Sequence, residues 1–233
     1  MFSKSAAYYD KFYQAKDYAT ESRRLQELIS QRFGLTRGKL LDVACGTGRH
    51  IEYLKANFDI QGVDLSDQLL TSARLRNPEV RFHTANMLDF DLKEQFNVVI
   101  CLFSAIGYVK TKQNLHRALS SLGRHLLPGG VLVVEPWFTP EAWYPGRVHA
   151  LCIDEPELKL VRMNTSQVSG RVSILDFHYL VGSPQGVEHF TELHELGLFT
   201  RTEMEQAFQQ AGLAVSYDEN GLTGRGLYFG MPS

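Results

Sequence analysis

The chain has 233 residues, 44% hydrophobic and 21% charged, with a formal charge of -2, a make-up that suits one sizeable soluble α/β domain and is short for two. Near-neutrality, without a Lys/Arg stripe interleaved with aromatics, argues against a nucleic-acid partner, which needs basic groups to neutralise phosphates. No window is long and apolar enough to span a membrane, the first 18 residues lack the apolar region of a signal peptide, and three widely spaced cysteines, Cys45, Cys101 and Cys152, read as reduced thiols of a cytoplasmic protein.

In chain order, Tyr9, Phe12, Tyr13, then Leu25, Leu28, Ile29 and Phe33 fall at helical spacing over residues 6–33, before Gly34 and Gly38. This predicts a helical lid over residues 1–38. Strand and helix signals then alternate, with strands at 39–44, 59–64, 80–84, 96–102 and 131–135 and helices at 48–57, 66–76 and 112–126. Ser66 is placed to cap a helix that Pro78 closes, and the run from Phe96 to Leu102 suits a strand buried on both faces. Strands alternating with helices predict a doubly wound parallel sheet. Past Pro136 the alternation stops. Strand-length runs at 148–153, 159–166, 172–181 and 189–199, with turns at Ser169-Gly170 and Ser183-Pro184-Gln185-Gly186, predict an antiparallel β insertion over 147–199. A helix at 200–211 and strands at 213–219 and 226–231 complete a single domain, 1–233, with no repeat or linker.

The end of the first strand is the most informative stretch. Leu40-Leu41-Asp42-Val43-Ala44-Cys45-Gly46-Thr47-Gly48 is an apolar strand that stops at an acid and a glycine turn, and Asp64 ends the next strand 22 residues after Asp42. Such a turn receives a nucleotide cofactor, and the second acid accepts bonds from ribose hydroxyls. A dinucleotide fingerprint needs a third glycine where this chain has Ile51, which disfavours an NAD oxidoreductase. An acid at Asp42 suits a ligand carrying a cation and an amino group, as S-adenosylmethionine (SAM) does. In these residues the chain resembles the class I SAM-dependent methyltransferases.

That geometry lays the cofactor across the carboxyl ends of the first strands. Ala44, Gly46 and Gly48 then let the backbone approach the methionyl and ribose portions beside Asp42, and Asp64 takes the ribose hydroxyls. Asn86 and Met87, after the third strand, are set against adenine, with the Asn86 side-chain oxygen accepting from the amino group, and Leu102 lines the same pocket. A strand-ending acid before a glycine turn also serves as a helix cap, so order and spacing carry the reading more than any one residue. Cys45 reads as a small turn residue. No His/Asp/Glu set recurs at metal-ligand spacing, so no metal site is expected. An amine with a pKa of about 8 need only lose its proton before attack, which favours N- over metal-assisted O-methylation.

A closer resemblance rests on Tyr8-Tyr9-Asp10-Lys11-Phe12-Tyr13, Lys16-Asp17-Tyr18, the Asp42 motif, Phe103-Ser104-Ala105-Ile106-Gly107-Tyr108, Val134-Glu135-Pro136-Trp137 and Gly224-Arg225-Gly226-Leu227. These blocks resemble the dTDP-aminosugar N,N-dimethyltransferases of macrolide pathways, which convert the 3-amino group of a nucleotide-linked deoxysugar to a dimethylamine. The resemblance implies a seven-stranded Rossmann-like sheet, SAM as cofactor and a sugar-nucleotide substrate. It places Tyr18 and Tyr13 on the lid over cofactor and sugar, with Tyr13 and Tyr108 as the catalytic candidates. Tyr108 would orient the amine or relay its proton, Trp137 would stand at the pocket mouth, and Arg225 would clamp the diphosphate. The chain departs from the family pattern at Phe138, where a second Trp is usual, and at Ile174, where a basic residue is usual; Arg147, Arg162 and Arg171 are the nearby cations that would compensate. A hairpin insertion of this kind commonly pairs between subunits, so a homodimer is expected. The alternatives are SAM-dependent methylation of another small amine or hydroxyl, and a non-catalytic SAM-binding protein.

Overall fold

The computed structural model describes residues 4–233, so the first three residues of the expected lid and domain lie outside the described residues. The lid is not one helix. A 3-10 turn (Lys4–Tyr8) runs into a single helical turn, α1 (Tyr9–Phe12), and after a bend through residues 13–16 comes α2 (Tyr18–Phe33). Asp17 starts α2 by accepting the Thr20 N–H at 2.9 Å, and Gly34 ends it at φ 68, where a Cβ would be strained. The bend has a packing reason: Phe12 is buried in one core and Leu25, Leu28 and Ile29 in another.

The strand–helix alternation then follows as β1 (Gly38–Val43), α3 (Arg49–Leu54), β2 (Phe58–Asp64), α4 (Asp67–Arg76), β3 (Arg81–Thr84), β4 (Phe96–Cys101), a 3-10 helix (Ala105–Val109), α5 (Lys112–Gly123) and β5 (Leu126–Val134). The insertion supplies β6 (Val148–Glu155), β7 (Leu158–Ser169), β8 (Val172–Ser183) and β9 (Gly186–Gly197), and α6 (Arg201–Gln210), β10 (Leu213–Asp218) and β11 (Leu227–Pro232) close the chain. The helix expected to reach residue 126 stops at Gly123, because Leu126 already pairs with Phe96 in a β5 that begins ahead of Pro128.

The seven-stranded sheet has the order β10-β11-β5-β4-β1-β2-β3, and β11 alone runs against its neighbours. Strand order reverses beside β1, so the carboxyl ends of β1 and β4 part there and leave a crevice. Successive residues feed opposite cores: Leu41, Val43, Val99 and Cys101 on one face, Leu40, Val98 and Ile100 on the other. The insertion does not extend this sheet. β6 to β9 form an antiparallel sheet of their own, whose inner face packs Leu160, Phe177, Tyr179 and Phe190 against Phe12 of the lid.

Candidate functional site

A cavity of about 620 Å³ lies at the crevice and reaches under the inner face of the second sheet. Tyr13, Tyr18, Asp42, Ala44, Gly46, Asp64, Asn86, Met87, Leu102, Tyr108, Trp137 and Arg225 all line it. Gly48 does not. It caps α3 at φ 71, and a Cβ there would sit 2.9 Å from Asn77 Nδ2 and 3.3 Å from the Ala73 Cβ, so its smallness serves the packing of α3 against α4. Gly46, at φ 56, is the open position, where an added Cβ would meet no protein atom within 4 Å.

Asp64 ties the turn together. Its Oδ2 accepts the Gly46 N–H and its Oδ1 the Ser66 N–H, both at 2.8 Å, while the Ser66 hydroxyl caps α4 by accepting the Leu69 N–H. Asp42 and Asp64 are both buried, at 3% and 8% exposure. Burial pushes the Asp42 carboxyl well above the usual carboxylate range, and the Asp64 charge pushes it further. Burial also raises Asp64, against the backbone N–H bonds of Ser66 and Gly46. Two desolvated acids facing one cavity are complementary to a cation. Asp42, the Ala44–Gly46 backbone and Asp64 thus form a donor and acceptor set whose chemistry fits SAM. Asn86, Met87 and Leu102 line the same cavity; Asn86 Oδ1 already accepts the Leu88 N–H at 3.0 Å, which leaves one lone pair.

The lid also lines this cavity. Tyr18 is buried with its ring edge-on to His50 at 4.9 Å, and the Arg49 guanidinium lies 5.3 Å from its ring centre. Asp10 accepts a bond from the Thr47 hydroxyl at 2.6 Å and pairs with Arg76 at 2.5 Å, which joins the lid to the glycine turn.

Basic and aromatic side chains complete the lining. Arg225 donates to Ser104 Oγ at 2.9 Å and lies over Trp137 and Phe138 at 5.3 and 5.1 Å. Ser104 is held in turn by the Pro136 carbonyl at 2.7 Å, and Glu135 braces the segment by accepting from the Phe103 N–H and the Thr223 hydroxyl. The glycines flanking Arg225 differ: a Cβ on Gly226 would lie 1.9 Å from Tyr217 Oη, whereas Gly224 is open. Trp137 is anchored through Nε1 on Ser173 Oγ at 2.8 Å. Arg162 donates to Tyr13 Oη at 3.1 Å and lies over Phe177 at 4.8 Å.

Of the three compensating cations, Arg147 and Arg162 line the cavity and Arg171 does not: it pairs with Glu203 and donates to the Leu198 carbonyl. Among the described residues Arg147, Arg162 and Arg225 have no carboxylate partner. Ile174 lies outside the lining and its neighbour Leu175 within it. Trp143, unremarked in the sequence, brings a second indole 5.9 Å from Phe138. His194 lies 2.7 Å from Tyr108 Oη, and the alternation Phe190, Glu192, His194, Leu196 along β9 is the sequence signal that it faces inward.

The family described as methyltransferase domain matches residues 40–130. The dTDP-3-amino-3,4,6-trideoxy-alpha-D-glucopyranose N,N-dimethyltransferase of Streptomyces venezuelae is 42% identical across 97% of this chain and 96% of its own length. The chain belongs to the dTDP-aminosugar N,N-dimethyltransferase family. It is thus a SAM-dependent methyltransferase with a Rossmann-like sheet. The crystal structure of Streptomyces venezuelae DesVI superposes with a TM-score of 0.91 at 40% identity over 100% of both chains. SAM-bound CalS10, an amino pentose methyltransferase from Micromonospora echinaspora, superposes at 0.85 with 36% identity, covering 100% of this chain and 98% of its own. Among the described residues, no helix is long and apolar enough to cross a membrane.

Proposed function

We propose that the protein methylates the amino group of a dTDP-linked aminodeoxysugar to a dimethylamine, with SAM as donor. The observation that carries this reading is the lining of one cavity, which combines buried Asp42 and Asp64 with Arg147, Arg162 and Arg225, three cations that have no carboxylate partner among the described residues. The acids match a cationic cofactor and the guanidinium groups a diphosphate. SAM supplies, when bound, a methyl group activated on sulfur. The protein's part is positional. Asp64 holds the ribose, Asn86, Met87 and Leu102 the adenine, and Tyr18 with the lid excludes water. Arg225 and Trp137 hold the sugar nucleotide, and Tyr13 and Tyr108 face the amine.

Both sheets and the lid contribute to this cavity, so we read residues 1–233 as one functional domain, with the 147–199 insertion forming part of the acceptor site. Three free cysteines support a reducing, cytoplasmic setting. The outer face of the second sheet exposes Met163, Leu180 and Leu193 at 47%, 46% and 53%, a surface that a second copy would cover in a homodimer; light scattering tests this.

The deciding assay is mass spectrometry of reactions with SAM and a dTDP-3-aminodeoxysugar, beside the same aminosugar without the nucleotide. The expected result is two successive methyl additions to the dTDP sugar and little to the free sugar. Methylation of simple amines alone would return the acceptor to an unidentified small molecule.

A further inference from the structure

The inner face of β7 presents three polar side chains in a row, and the middle one is left unbonded. Arg162 donates to Tyr13 Oη at 3.1 Å. Ser166 Oγ accepts the Arg147 N–H at 3.1 Å and donates to the Tyr144 carbonyl at 3.0 Å. Between them in sequence stands Asn164, which is 6% exposed and lines the cavity. Its amide nitrogen is buried and has no hydrogen-bond partner among the described residues. Asn164 pairs in register with His149 of β6, and Leu175 and Phe177 of β8 line the same cavity. A buried amide donor without a partner is costly, so an orphan of this kind in the wall of a ligand cavity points to a partner on the ligand.

Resting on the aminosugar reading, we propose that Asn164 is a specificity-determining residue that binds a hydroxyl group on a sugar carbon beside the amine. Its place on the strand carries the assignment. Side chains on one face of a strand recur every second residue, about 6.6 Å apart, so Asn164 stands one such step from each neighbour. On one side Arg162 touches Tyr13, which is read as facing the amine. On the other Ser166 holds the backbone of Arg147, one of the cations read as holding the diphosphate. A hexose carries its amine on one carbon and its diphosphate on another. With those two groups at the flanking positions, the ring lies along Asn164.

A hydroxyl is the group that fits. It donates and accepts, so it pairs with whichever end of the amide is turned toward it. Because the nitrogen is unbonded, a half-turn about the last side-chain torsion breaks no hydrogen bond at that atom. A deoxygenated carbon offers neither a donor nor an acceptor and leaves the amide unpaired once the sugar covers it. Sugars that keep the hydroxyl are therefore favoured over their deoxy counterparts.

The test uses a dTDP-3-amino-3,6-dideoxyhexose and its counterparts lacking the 2-hydroxyl or the 4-hydroxyl, with kcat/KM from steady-state kinetics and affinity from calorimetry in the presence of S-adenosylhomocysteine (SAH). The wild type should favour the full sugar over one of the two counterparts by about 10- to 100-fold. In Asn164→Leu that preference should collapse to within about twofold, through loss on the hydroxylated sugar, while SAH affinity is kept. Asn164→Ala, which removes the amide without adding bulk, should collapse it equally. Equal kcat/KM for all the sugars in the wild type, or a preference that survives in both variants, overturns the assignment. Melting of the ligand-free protein reads the same amide without any acceptor. Replacing an unpaired buried amide by an apolar side chain of similar volume should leave the Tm of Asn164→Leu at or above that of the wild type. A fall of more than about 5 °C would mean that the amide is bonded within the protein, and overturns the proposal. Binding of none of these sugar nucleotides overturns the acceptor reading itself, whereas binding of all of them with equal affinity overturns the hydroxyl contact alone.

Discussion

At the scale of single residues, the two strand-end acids are both raised by burial, but only Asp64 has backbone N–H bonds that oppose it. Asp42 is raised by burial and by Asp64, so its ionised form is disfavoured in the folded protein. The penalty is absent below the unfolded carboxylate pKa of about 3.9, grows as pH rises above it, and is complete above the raised folded value. Asp42→Asn should therefore raise the melting temperature of the ligand-free protein, increasingly so as pH rises, while weakening SAM binding; paired melting curves with and without SAM measure both. Asp64 differs because backbone N–H groups already occupy both oxygens. Asp64→Ala should weaken SAH binding by about 1.5–3 kcal/mol for each charge-assisted bond lost, against about 0.5–1.5 kcal/mol for Asn86→Ala, whose contact is neutral. Calorimetric titration of the two variants ranks them, and an equal loss would count against the ribose and adenine assignments.

At the scale of elements, two short segments beside the cavity are held by specific contacts. Asp10 is the joint between α1 and the glycine turn, through Thr47 and Arg76. Because Asp10 and Arg76 are partly exposed, 32% and 20% for their side chains, the joint is worth about 1 kcal/mol. Asp10→Ala should weaken SAH binding roughly fivefold, chiefly through faster dissociation visible in stopped-flow traces. The loop carrying Arg225 depends on Gly226, where φ is 82 and a Cβ would overlap Tyr217. Gly226→Ala should cost about 1–3 kcal/mol in thermal or urea unfolding. Gly224→Ala, with positive φ but open space, should cost less.

At the scale of the whole molecule, the acids come from the ends of β1 and β2, Arg225 from the β10–β11 loop of the same sheet, and Arg147 and Arg162 from the insertion, so the groups proposed for cofactor and acceptor can be varied separately. Arg225→Ala should raise the KM for the sugar nucleotide and leave SAH affinity intact, because a clamp remote from the reacting amine contributes uniform binding. If Arg147, Arg162 and Arg225, which line the cavity, hold the acceptor's diphosphate as proposed, its KM should also climb with ionic strength more steeply than the SAM KM. Steady-state kinetics over a salt series checks this, and equal slopes for both substrates would contradict the division.

The sequence by itself determined the α/β alternation, the Asp42 turn, Asp64 and the positions after β3 and β4. Each is a local matter: where a strand ends and a turn begins decides which side chain meets the crevice. It also showed that the 147–199 segment is β-rich and antiparallel. Tertiary structure alone decided what depends on distant partners. Gly48 answers to Asn77 across a helix pair, and the lid breaks near Lys16 because its two ends serve different cores. Arg162 on β7 lines the cavity, while Arg171, in the turn between β7 and β8, pairs with Glu203. Tyr108 and His194 are 86 residues apart and meet only because β9 folds back over the 3-10 helix after β4. Spacing along a chain reports neighbours within a turn or two; which buried polar groups find one another is settled by the packing of the two sheets and the lid.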